Sequence, residues 1–134
     1  MNSLVSVIIV NWNGYKNLKE CLNSLLKITY SPIEIIVVDN GSIDGSVALV
    51  RKNFPTVGVI EANKNLGFAQ GNNLGYKKSR GKYILLLNND CIVTKNFLNK
   101  LVFCLEKNPK VAIVQPTIIF HRPNTPLHMK INSV

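Results

Sequence analysis

KYILLLNND, residues 82–90, is a short apolar run bounded by Gly81 on one side and an Asn/Asp cluster on the other. It is too short for a helix and lacks a helical period, so it predicts a buried strand, Tyr83 to Leu87, that delivers Asp90 to its carboxyl end. The chain has two other aspartates, Asp39 and Asp44. Asp39 closes a second apolar run, Ile33 to Val38, and Asp44 follows in the loop DNGSIDG. Turn chemistry alone accounts for an Asp at any one of these places, because Asp and Asn bond their own backbone.

Outward from that strand the pattern repeats. Val5 to Val10 is a β-branched run closed by Asn11, Trp12, Asn13 and Gly14. Leu18, Cys21, Leu22, Leu25 and Leu26 then recur at helical spacing. Pro32 marks the restart into Ile33 to Val38. Asp44 is placed to cap a helix through Val47, Val50 and Arg51. Pro55 precedes a third strand, Val57 to Ile60, and Phe68 to Lys78 predicts a helix interrupted by Gly71 and Gly75. Interior glycines cost about 1 kcal/mol each, so they imply a close approach to that helix. After Tyr83 to Leu87, the residues Phe97, Leu98, Leu101, Val102 and Leu105 form an amphipathic helix, and Val111 to Val114 is expected as a fifth strand before Pro116. The expected domain is 1–120, and the proline-containing tail 121–134, with His121 and His128, is expected to pack poorly.

Strands alternating with helices predict βαβ units and an α/β fold with a mostly parallel sheet and flanking helices. A chain of 134 residues is one domain, able to bury roughly two thirds of its unfolded surface. In such a sheet all strands end on one rim, where ligands bind near the reversal of strand order. That rim is expected to hold Asn11, Trp12, Asn13, Asp39, Asn40, Asn63, Asn65, Asn88, Asn89 and Asp90. The opposite rim would receive Pro32, Pro55, Gly81, Lys82 and Pro109 and no Asp. Turn propensity alone would supply Asn and Asp to both rims.

Composition narrows the compartment and the partners. Cys21, Cys91 and Cys104 lack ligand spacing and lie in or beside apolar segments, which predicts buried filler in a reducing compartment. Leu4 to Val10 has no preceding Lys or Arg and no small-residue site after it, so it is a poor signal peptide. No run approaches bilayer length. These features predict a cytoplasmic protein. A formal net charge of +9 favours polyanionic partners: nucleic acid, an acidic membrane face, or phosphorylated small molecules. The basic residues are dispersed, which argues against a nucleic-acid stripe.

Known phosphate motifs fail. GYKKSRGK, residues 75–82, has the wrong glycine spacing for a P-loop and precedes a strand instead of following one, and no GxGxxG follows the first strand. Asp90 has a different logic. A carboxylate a few Å from a diphosphate would be repelled by about 4 kcal/mol per charge pair at an effective dielectric near 20. A divalent cation between them removes the conflict, and Mg²⁺ needs only one or two protein carboxylates beside phosphate oxygens.

VSVIIVNWNG, IEIIVVDNGSIDGS, NLGFAQGNNLG and GKYILLLNNDCIV together resemble the family 2 glycosyltransferases of the GT-A fold, most of all the rhamnosyltransferase-like members. The resemblance extends to about Pro116. It implies inverting transfer of a sugar from a UDP- or dTDP-linked donor to a saccharide or lipid-linked acceptor in cell-envelope polysaccharide synthesis, with Mg²⁺ or Mn²⁺ as cofactor. Peripheral contact with an acidic inner membrane face is expected from the net charge of +9, not from the resemblance. On this chain the resemblance implies that Val10, Asn11, Trp12 and Asn13 border the nucleoside and that Asp39 accepts a hydrogen bond from the base. Asn65, Gly67, Asn72 and Asn73 would flank the nucleotide, and Asn88, Asn89 and Asp90 would fill the DxD role with Asp90 as the metal ligand. Other readings stand beside these: Trp12 as rim packing, Asp44 as a helix cap, Asn72 and Asn73 as solvated helix positions.

Beyond Asp90 the one acidic residue is Glu106, on a helix. No general base is therefore expected, and the chain is expected to be a truncated donor half. Its rivals are a module that holds a nucleotide sugar without transferring it and a basic nucleic-acid-binding domain.

Overall fold

The computed structural model describes residues 2–119; the tail 121–134, with His121 and His128, lies outside the described residues. Four strands, β1 (Val5–Asn11), β2 (Ile33–Asp39), β3 (Gly58–Glu61) and β4 (Tyr83–Leu86), alternate with four helices, α1 (Tyr15–Leu25), α2 (Ser46–Asn53), α3 (Gly67–Tyr76) and α4 (Phe97–Lys107). All pairings are parallel, in the order β3-β2-β1-β4. The order therefore reverses between β1 and β4. Asn11 pairs with Asp39 and Asp39 with Glu61, so three strands end level on one rim.

Both faces of the central strands β1 and β2 are covered, which is why they read as near-continuous apolar runs instead of alternating. On one face Val5, Val7 and Ile9 of β1 and Ile35 and Val37 of β2 pack with Leu18, Cys21, Leu22 and Leu25 of α1, Leu49 and Val50 of α2, and Leu98 and Val102 of α4. On the other face Ile8, Ile36 and Val38 are covered with Val10, Ile60, Leu74 and Ile84. Helix α3 lies there, and its glycines explain themselves. A Cβ on Gly75 would stand 2.5 Å from Ile8 Cγ2, and one on Gly71 2.9 Å from Val10 Cγ1. The close approach implied by those glycines is the approach of the sheet.

Several expectations are corrected. The run 111–114 forms no strand: Val111, Ala112 and Ile113 are exposed, and the described sheet offers them no partner ladder. Leu26 is 56% exposed; at the C-cap of α1, the step of about 100° per residue carries it off the buried stripe. Helix α1 starts at Tyr15, earlier than its apolar spacing suggested, and β3 runs one position later than expected. β4 stops at Leu86, although Leu87 N–H still donates to Ile8 O at 3.0 Å. Asp90 stands, as expected, past the end of this strand, in the turn that follows it. Of the cysteines only Cys21 is buried; Cys91 and Cys104 are half-buried.

Candidate functional site

The carboxyl rim is tied together by side chains. Asn11, the last residue of β1, is fully buried, and its Nδ2 donates to Asp39 Oδ1 and to Ser42 Oγ, both at 3.2 Å. Asp39, itself 3% exposed, also receives the Ser42 hydroxyl on Oδ1 at 2.5 Å and the Ser42 N–H on Oδ2 at 2.8 Å. A buried carboxylate survives only with such donors around it. Oδ2 accepts one of these bonds and keeps a second lone-pair site. On its other side Asn11 Oδ1 accepts from Asn89 Nδ2 at 2.9 Å. The result is a chain Asn89–Asn11–Asp39 that crosses the reversal point of the sheet.

Beside that point the Asn88–Asp90 turn is anchored twice. Asn88 O accepts Cys91 N–H at 3.2 Å and the Cys21 thiol at 3.7 Å, and Asn89 is held by Asn11. Asp90 is exposed, and among the described residues its carboxylate accepts no hydrogen bond. No cluster of three or more metal-ligating side chains occurs among the described residues. A cation here would rely on Asp90 and on oxygens of its ligand, and a solvent-facing carboxylate on an anchored turn suits a hard divalent ion in that role. Burial, and secondarily the nearby Cys91 and Asp90, pushes the Cys21 thiol up to about 12.

The other end of the rim is built from two loops. Trp12 is 57% exposed. Asn13 takes a positive φ of 51°; its N–H donates to Ser42 Oγ at 2.9 Å and its Oδ1 accepts Ile43 N–H at 2.9 Å. Val10 is half-buried beneath α3. Asn65 Oδ1 accepts Gly67 N–H at 2.8 Å, and Asn40 Nδ2 donates to Gly67 O at 3.1 Å. Asn72, expected at the nucleotide or in solvent, is instead 6% exposed and donates to Phe68 O of its own helix at 3.0 Å. Asn73 is exposed. Asn40 Oδ1 is buried with no partner among the described residues.

The expectation for Asp44 needs enlarging. Its Oδ1 accepts Ser46 N–H at 3.0 Å, and its Oδ2 accepts Tyr15 N–H at 2.8 Å, while Gly45 in the left-handed conformation is the N-cap of α2. One carboxylate therefore serves the first turns of two helices. Glu61 is on the rim but paired with Arg51. Glu106 accepts from Ser3, which precedes β1, and so belongs to the opposite rim.

Sequence reasoning missed Ser42 and the amide pairing of Asn11 with Asn89. Ser42 had a local signal, a hydroxyl three residues after an Asp in a glycine turn. The Asn11–Asn89 pair had none.

Comparison with known proteins gives consistent relatives. The family model described as glycosyl transferase family 2 matches residues 6–132. Glycosyltransferase GlyG of Streptococcus pneumoniae is 37% identical over 106 residues, covering 75% of this chain and 35% of the relative. Glycosyltransferase AglE of Haloferax volcanii is 30% identical over 125 residues, covering 90% and 41%. Among solved structures, Staphylococcus aureus TarS 1-349 in complex with UDP-GlcNAc superposes with a TM-score of 0.71 at 27% identity, over 77% of this chain and 31% of that one. The Pyrobaculum calidifontis mannosyltransferase PcManGT, in complex with GDP-Man and Mn²⁺, reaches a TM-score of 0.73 at 23% identity, over 78% and 33%, a likeness of fold. The chain spans about a third of the length of the curated relatives it matches. No helix among the described residues is long and apolar enough to cross a membrane.

Proposed function

Because the chain belongs to glycosyl transferase family 2, we propose that its carboxyl rim holds the nucleoside diphosphate of a sugar donor, for inverting transfer of the sugar to an acceptor hydroxyl. The observation that carries this reading is the Asn89–Asn11–Asp39 chain. It puts a buried carboxylate with a spare lone pair and an exposed, unpaired carboxylate on the two sides of the sheet's reversal point, where ligands of parallel sheets bind.

In this reading Asp39 Oδ2 accepts an imide N–H of uracil or thymine, while Trp12 and Asn13 border the nucleoside with Val10 beneath them. Asn65 and Gly67 line its far side. Asn88 and Asp90 face the diphosphate, with the Asn89 amide turned to Asn11 beside them, and Asp90 is the protein's ligand to a divalent cation, Mg²⁺ or Mn²⁺. A divalent ion held by Asp90 would supply charge neutralisation to the departing diphosphate. Asn72 is assigned no contact with the nucleotide, since its side chain is buried against its own helix, where it donates to Phe68 O. No residue is assigned as the general base: among the described acidic residues of the rim, Asp44 is bonded by Tyr15 and Ser46 and Glu61 by Arg51.

The rhamnosyltransferase-like subgroup and the saccharide or lipid-linked acceptor rest on motif resemblance alone. A cytoplasmic location rests on cysteine usage that fits a reducing compartment, and peripheral contact at an acidic membrane face rests on the charge of +9. The donor reading is tested by titrating the purified chain with UDP, dTDP, GDP and ADP with and without Mn²⁺. Micromolar affinity for a pyrimidine diphosphate that disappears on chelation supports it. Equal affinity for ADP, or indifference to Mn²⁺, refutes it.

A further inference from the structure

We propose that Asn89 is the positioning residue of the metal-holding turn: through Asn11 it keeps Asp90 in register with the nucleoside end of the rim. The inference rests on the donor-binding reading above.

The need for such a residue follows from unequal strand lengths. Ile8 pairs with Leu86 at the end of β4, but β1 runs on to Asn11. Leu87 N–H makes one further bond, to Ile8 O. From there the chain that leads to Asp90 passes beside the end of β1 with no backbone ladder to guide it. The Asn89–Asn11 amide pair takes the place of the missing rung.

The chemistry of the pair is directional. Asn11 Nδ2 is committed to Asp39 and Ser42, which leaves its carbonyl oxygen facing position 89. Position 89 must therefore donate. An Asp there would set a carboxylate against a carbonyl oxygen inside a closed contact, although by motif logic it would add a carboxylate beside Asp90. The contact is closed by Gly14, where a Cβ would lie 2.3 Å from Asn89 Nδ2 and 2.6 Å from Asn11 Oδ1. The backbone of the β1–α1 loop lies against the pair with no room for a side chain, and the bond is partly buried.

Three variants test this from different sides: Asn89→Ala removes the donor, Asn89→Asp reverses it, and Gly14→Ala forces a methyl against the two amides while leaving both residues in place. For each, the affinity for UDP is measured with and without Mn²⁺, alongside the affinity for UMP without metal and the thermal midpoint. The expected result is a roughly tenfold fall in the Mn²⁺-dependent gain in UDP affinity in all three, with UMP affinity unchanged within about twofold. A general structural role would lower both affinities together, and that outcome overturns the proposal. So does a wild-type Mn²⁺ gain in Asn89→Ala or Gly14→Ala, or a stronger one in Asn89→Asp. If the wild-type chain itself gains nothing from Mn²⁺, the donor-binding reading falls and this inference with it. A wild-type gain that the variants retain sinks the inference alone.

Discussion

Asp44 and Tyr15, far apart in sequence, meet at the carboxyl rim: the Asp44 carboxylate accepts the Tyr15 N–H that opens α1 while its other oxygen accepts the Ser46 N–H that opens α2. Two helix N-termini, each with orphan N–H donors and a positive dipole end, share one charge. A Ser, Asn or Thr could not serve both with ionic oxygens.

Asp44→Ala is accordingly expected to cost more than an ordinary cap, about 2 kcal/mol, read as a shift in the urea midpoint. Burial acts to raise the Asp44 pKa, but the bonds from Ser46 and Tyr15 outweigh it and hold the carboxyl below its ordinary value. Glu34 is held low in the same way, with burial opposed by Ser6 and by the backbone and guanidinium of Arg80. A lowered native pKa stabilises above the unfolded value and loses that stabilisation as the pH falls through the native one. Stability should therefore drop on the acid side, below the usual carboxylate range, and the drop should be shallower in Asp44→Ala.

Asp90→Asn should leave the thermal midpoint unchanged, because this carboxylate accepts no bond among the described residues. It should abolish the Mn²⁺-dependent gain in nucleoside diphosphate affinity. Calorimetric titration with and without metal separates the two effects.

Asp39→Ala should differ in kind. Removing a buried carboxylate leaves the donors of Asn11 and Ser42 with fewer acceptors, at about 1–3 kcal/mol for each group left unpaired. A lower denaturation midpoint should accompany weaker UDP or dTDP binding. Asn11 keeps Ser42 Oγ as an acceptor, so the ratio of affinities with and without Mn²⁺ should hold.

Gly75→Ala should destabilise in spite of alanine's better helix propensity of about 1 kcal/mol. The new Cβ would meet Ile8 Cγ2 at 2.5 Å and Val38 Cγ2 at 3.1 Å, and overpacking of this kind costs about 1–3 kcal/mol. Gly71→Ala, whose nearest contact is 2.9 Å, should cost less. Urea denaturation of both variants gives the order.

Thiol labelling at pH 8 should follow exposure and thiolate character. Cys21, buried and raised to about 12, should react last. Cys91, raised mainly by burial and further by Asp90, should be intermediate, and Cys104 first. Peptide mass spectrometry over a time course of iodoacetamide reads the order directly.

What the sequence by itself determined was the set of elements and their polarity. Runs such as Ile33–Val38 and Tyr83–Leu87 are short, apolar and bounded by turn formers. The spacing of Leu18, Leu22 and Leu25 is a property of consecutive residues, so periodicity could assign each to strand or helix. The crowding of Asn and Asp at one rim followed once strands were known to alternate with helices. Gly71 and Gly75 signalled a close approach, because a helix tolerates such residues only for a packing reason. Local pattern also misled: Val111 to Val114 has the composition of a strand, but a strand exists only where another offers its backbone.

Only the tertiary structure decided the pairs. The order β3-β2-β1-β4 sets Asn89 beside Asn11 across 78 residues of sequence and Asn11 beside Asp39 across 28. It turns Asp44 from a local cap into a bond between two helices, and it sends Glu106 to the rim opposite Asp39, Asp44 and Asp90. A side chain's hydrogen-bonding capacity is written in its own residue type. Which donor meets which acceptor depends on chain segments brought together by the burial of two apolar sheet faces, and no local period encodes that.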